Sequence, residues 1–166
     1  MTATAPIPNI ASDRDNILRN AQAIAAMMER RGIPARLVSV PGGNPLVFGE
    51  IRTPGATRTV AFYAHYDGQP LDPREWASPP FEPTLRDKRV EDGGRTIALP
   101  PAGVAFDPEA RLYARGAADD KAPIHEIVAD PVGQVKRLRS IPHPRIPLPN
   151  AIFAPRRNSR GLPLWD

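Results

Sequence analysis

The sequence predicts an α/β domain over residues 12–130, a mixed β-sheet with flanking helices, followed by an irregular proline-rich tail over residues 131–166. Three observations carry this. An amphipathic helical stretch near the start precedes short strand-like runs separated by tight turns. Two of those runs end in a glycine with acidic residues close by, and open α/β sheets place their ligands at such strand ends. Finally, 22 of the 166 residues are proline, well above the ~5% of ordinary chains, so long stretches must be irregular.

Residues 1–11 are small, polar and proline-bearing, and read as a flexible N-terminus. Ser12 or Asp13 can cap a helix, with Asp15 in its first turn favouring the dipole. Ile17, Ala21, Ile24 and Met28 then recur at helical spacing, and form a core stripe. Gly32 and Pro34 end the helix. Residues 35–40 and 46–52 read as strands joined by the turn Pro41-Gly42-Gly43-Asn44. That Gly-Gly pair lacks the lysine and following helix of a phosphate loop.

Residues 60–64, Val-Ala-Phe-Tyr-Ala, have the length and composition of a buried strand. His65 and Asp67 follow at its end. Residues i and i+2 of an extended segment point the same way, so the two can converge on one site. Residues 71–83 are too proline-rich for a regular element, 84–86 make a short strand, and 87–108 read as an insertion loop. Residues 111–115 alternate as a strand, Gly116 breaks it, and Asp119-Asp120 open a helix to about residue 129.

Charge divides the chain. Residues 1–130 hold 15 Lys+Arg and 17 Asp+Glu, net −2, whereas residues 131–166 hold 7 Lys+Arg and one acid, net +6. Seven prolines fall in that tail and no hydrophobic period survives there. There is no cysteine, which removes disulfides and thiolate metal sites, so any metal must use His, Asp and Glu. No apolar run approaches the ~20 residues of a membrane span, and no basic-then-apolar leader begins the chain. The expected location is cytoplasmic.

Three ordered motifs carry a resemblance. They are Ala64-His65-Tyr66-Asp67-Gly68-Gln69-Pro70, Trp76-Ala77-Ser78-Pro79-Pro80-Phe81-Glu82-Pro83, and the run from Arg111 through Arg115-Gly116-Ala117-Ala118-Asp119-Asp120-Lys121 to Ile124. Over roughly residues 13–130 the sequence resembles the amino-terminal part of the dinuclear zinc peptidases, the M-twenty family of aminoacylases, cytosolic dipeptidases and glutamate carboxypeptidases. The Trp-x-Ser-Pro-Pro-Phe segment points to the dipeptidase-like branch. The resemblance implies a partial zinc-peptidase catalytic domain and a zinc-dependent hydrolase of peptide or amide bonds. It implies His65 as ligand of one zinc and Asp119 as the carboxylate bridging two. It implies Asp67 as the catalytic-site aspartate that orients the imidazole. Asp120 and Lys121 serve more as scaffold. A small peptide or N-acyl amino acid is the implied substrate, with neither membrane nor nucleic acid as partner.

The sequence departs from the family after this point. The family's Glu-Glu pair, which supplies the base and a ligand, has no counterpart, because only Asp120, Glu126, Asp130 and Asp166 follow Asp119. The later acidic ligand, the late histidine and the dimerisation domain are also missing. His125 and His143 are poor substitutes. A basic, aperiodic, proline-rich segment after a good motif is what a shifted reading frame yields, with the departure at residues 124–130. On this reading the chain is an inactive fragment of a hydrolase. The alternative is a non-catalytic binding module whose basic tail contacts nucleic acid or an acidic partner.

Overall fold

The computed structural model describes residues 6–101, 103–131, 133, 156–157 and 163–164. The chain divides into two units, residues 1–134 and 135–166. In the second, strands β5 (Arg156–Arg157) and β6 (Pro163–Leu164) pair antiparallel. The rest of the basic tail, and with it the expectation of an irregular or frameshifted segment, lies outside the described residues.

The first unit is built on helix α1, Arg14–Glu29. Asp13 is the cap, its carboxylate accepting the Asn16 backbone N–H at 3.2 Å, which satisfies one of the free donors of the first turn. Gly32, at φ 72°, turns the chain out after the helix. The buried stripe is Ile17, Asn20, Ala21, Ile24 and Met27. Asn20 belongs to it because its amide donates to the carbonyls of Pro8 (2.7 Å) and Asn16 (2.8 Å).

Strands β1 (Ala35–Val38) and β2 (Leu46–Gly49) form an antiparallel hairpin. Strands β3 (Thr84–Arg86) and β4 (Arg111–Tyr113) form a second antiparallel pair. The expected insertion between them contains a short 3₁₀ turn, Val90–Asp92, and a bridge from Arg86 to Thr96. After Gly116 comes an irregular turn, Ala117–Lys121, and then helix α2, Ala122–Ala129. The helix starts later than the sequence suggested, because Asp119 and Asp120 have non-helical backbone angles.

One cluster joins these pieces. Ile24 and Met27 of α1, Ile33, and Ile124 and Val128 of α2 are buried together, with Met28, Val47, Ala64 and Tyr66 packed against them. Burying such side chains stabilises by roughly 1.5–3 kcal/mol each.

Two expectations need correction. Residues 60–64 form no strand. Val60, Phe62 and Tyr63 are exposed, Tyr63 by 87%. A run of this composition becomes a strand only by pairing its backbone with neighbours, and the described residues supply none. The single mixed sheet is therefore not assembled among them; the pairs are separate hairpins. The N-terminus is the second. Residues 1–5 lie outside the described residues, but residues 7–11 are tied down. Asn9 is 1% exposed, its carbonyl accepts the Gly68 N–H, and the Ala11 N–H donates to the Gly68 carbonyl at 2.9 Å. Among the described residues no helix is long and apolar enough to cross a membrane.

Candidate functional site

Two chain segments meet at the site. The first is residues 64–69. Ala64 and Tyr66 turn into the core while His65 between them turns away, as alternation in an extended segment requires. The Tyr66 hydroxyl donates to the Pro45 carbonyl, which fixes the segment against the β1–β2 hairpin. The second segment is residues 115–121. Gly116 starts it at φ 73°, a backbone state that side-chain-bearing residues avoid. A Cβ there would lie 2.6 Å from Asn9 Nδ2. The peptide between Asp119 and Asp120 is cis.

The N-terminal strap holds the two segments together. Asn9 Nδ2 donates to the Tyr66 carbonyl at 3.1 Å on one side. On the other, Lys121 Nζ donates to the Ile7 carbonyl at 2.7 Å. Lys121 is 3% exposed, and burial lowers its pKa to about 8. Nothing in the sequence marked Asn9 for this task; a lone Asn between prolines and a helix cap reads as loop.

The structure brings His65, Asp67, Asp119 and Asp120 together. His65 Nε2 lies 3.0 Å from Asp119 Oδ1. The Asp120 carboxylate accepts the His65 backbone N–H at 3.2 Å. His65 Nδ1 lies 2.9 Å from the Asp67 carbonyl oxygen and 3.5 Å from its carboxylate. The backbone of Asp67, more than its side chain, therefore orients the ring.

That geometry fixes the chemistry of the imidazole. A carbonyl oxygen only accepts, so Nδ1 carries the proton. In the neutral ring Nε2 then presents a lone pair, and it faces a carboxylate oxygen. Two acceptors at 3.0 Å require a positive charge between them. A proton meets that need, and the His65 pKa is accordingly raised: by the bond to the Asp67 carbonyl first, against a burial effect that lowers it, and by the Asp119 and Asp120 charges. A metal cation meets it equally. Two ligands each ~2.0–2.2 Å from a zinc ion at 90–110° sit about 3–3.5 Å apart, so this donor pair fits zinc.

The pair does not complete a zinc site. Structural and catalytic zinc take at least three protein ligands. Among the described residues no group of three or more His, Asp and Glu side chains converges on one point. Asp119 is exposed, with 83% of its side chain accessible. His125 lies on α2 and belongs to a different surrounding: burial, then the charges of Arg31 and Lys121, lower its pKa. His143 lies outside the described residues. A cavity of about 270 Å³ opens beside the pair, lined by His65, Asp67, Gly68, Gln69, Arg115 and Asp119. The sequence reading did not single out Arg115 or Gln69.

Comparisons with known proteins agree in part with the resemblance. Over 92 residues, 55% of this chain, the sequence is 38% identical to succinyl-diaminopimelate desuccinylase of Acidovorax ebreus. It is also 44% identical over 54 residues, 28% of this chain, to the bifunctional protein PutA of Klebsiella aerogenes. The aligned part spans 17% of the desuccinylase and 4% of PutA. No family model matches, and no solved structure matches. At this level the chain is similar, over about half its length, to a small part of a hydrolase.

Proposed function

We infer that residues 12–130 descend from a zinc-dependent hydrolase of peptide or amide bonds of the dipeptidase-like kind, and that this chain carries one arm of its metal site. The observation that carries the reading is the His65 Nε2–Asp119 Oδ1 approach at 3.0 Å, in a segment order that matches the family motifs. The desuccinylase similarity supports the same class of reaction. In this reading His65 and Asp119 hold a zinc ion, the Asp67 carbonyl keeps the His65 proton on Nδ1, and Asp120 anchors the backbone at His65. A bound zinc supplies a Lewis acid and a water of lowered pKa. With two protein ligands and no glutamate base, these residues bind the ion weakly and do not turn over substrate.

The test is hydrolysis of dipeptides and N-acyl amino acids by the purified chain with zinc in excess. No turnover above the zinc blank is expected. Turnover lost in His65→Ala would show that the chain supplies its own base, and the account of an incomplete site would fall.

The tail has a different origin in this reading. Net charge changes from −2 over residues 1–130 to +6 over residues 131–166, and seven of the prolines fall in the second stretch. Translating the neighbouring frames of the coding DNA downstream of codon 124 separates two causes. A continuation with a Glu-Glu pair in another frame means a shifted frame. Its absence removes that cause and leaves truncation.

A further inference from the structure

We propose that Arg115 is a binding residue that seats the carboxylate of a small anionic ligand in the cavity beside His65 and Asp119. The inference rests on the hydrolase reading above and adds the ligand's charge to it.

Among the described residues lining this cavity Arg115 is the one Arg or Lys, and it shares the lining with two carboxylates and an imidazole. Its position is fixed twice. The backbone N–H donates to the Pro80 carbonyl at 2.6 Å, and a guanidinium N–H donates to the Gln69 carbonyl at 3.1 Å, linking the two segments that form the site. Neither contact neutralises the charge, because both acceptors are carbonyls. Among the described residues no carboxylate lies within ion-pair distance of Arg115, although Asp67 and Asp119 line the same cavity. A guanidinium held this way keeps further N–H donors for a planar anion, the arrangement that recognises carboxylates two-pronged. The Asp67 and Asp119 carboxylates repel an anion elsewhere in the cavity, so Arg115 also sets which way an anionic ligand is oriented.

The experiment uses the full chain, with succinate as the anion probe and zinc alone as the cation probe, each followed by NMR. Succinate is expected to shift the Arg115 Nε–Hε signal saturably. Arg115→Gln should weaken succinate binding about ten-fold or more, Arg115→Lys should recover part of it, and zinc affinity should stay within about two-fold of wild type. If Arg115→Gln does not fold, the wild-type Nε–Hε shift decides alone. Succinate binding unchanged in Arg115→Gln, or succinate that leaves the Arg115 signal unmoved, overturns the proposal. Zinc that fails to shift His65 while succinate still seats on Arg115 removes the hydrolase reading and leaves the anion site standing.

Discussion

Replacing Gly116 with alanine tests the joint on which the site depends. The φ of 73° costs a non-glycine residue about 1–2 kcal/mol. The new Cβ would also stand 2.6 Å from Asn9 Nδ2 and 3.0 Å from Asn9 Oδ1. Asn9 is 1% exposed and has nowhere to move without giving up its bond to the Tyr66 carbonyl, a loss of about 1 kcal/mol or more. Together these give about 3 kcal/mol. Gly55 is the control. It has a similar φ of 75° but open space around it, so Gly55→Ala should cost only the backbone part, about 1–2 kcal/mol. Urea denaturation of both variants and of wild type reads the difference. Placing Gly116→Ala in an Asn9→Ala background should shrink the excess. Equal losses in the two glycine variants would refute the claim that the N-terminal strap packs directly against the Asp119 segment.

Other outcomes follow from the same geometry. Ile24→Ala should lose about 2–4 kcal/mol by equilibrium unfolding, because the side chain sits where α1, α2 and Ile33 meet. Asp67→Ala should leave the His65 pKa raised, since the backbone carbonyl is the first cause, whereas Asp119→Ala should lower it; NMR titration of His65 reads both. His125 has a lowered pKa in the fold, so its neutral form is the one the fold favours. Its contribution is intact above its unfolded pKa of ~6.5 and is lost as pH falls toward the folded value. Wild type should therefore lose more stability than His125→Gln between pH 7 and pH 5, measured as the difference in urea midpoints.

What the sequence could reveal followed the range of the interactions involved. Helix α1 was legible because its cap, Asp13, and its stripe, Ile17, Ala21 and Ile24, are local signals. The β1–β2 hairpin was legible for the same reason, with Gly42-Gly43 between two apolar runs. Residues 60–64 misled because strand composition says what could pair, not whether a partner is present. The approach of His65 to Asp119, 54 residues apart, was anticipated from two predicted strand ends that carry a His and an Asp, and from the motif resemblance. The strap of residues 7–11 was invisible. Asn9, Asn20 and Lys121 act there through bonds to backbone carbonyls, and such bonds leave no pattern in side-chain types. The role of the Asp67 backbone was hidden likewise, since a carbonyl belongs to every residue.

A zinc titration followed on the His65 ring nitrogens, in wild type and in Asp119→Ala, tests the central claim most directly. Complete structural zinc sites bind with ~10–16 kcal/mol, so two ligands should give about half of that, a Kd of roughly 10⁻⁶–10⁻⁴ M. One ion should bind, His65 Nε2 should shift while Nδ1 stays protonated, and Asp119→Ala should weaken binding at least ten-fold. Zinc that binds equally well to Asp119→Ala, or that leaves Nε2 unmoved, would contradict the claim that His65 and Asp119 form one arm of a metal site.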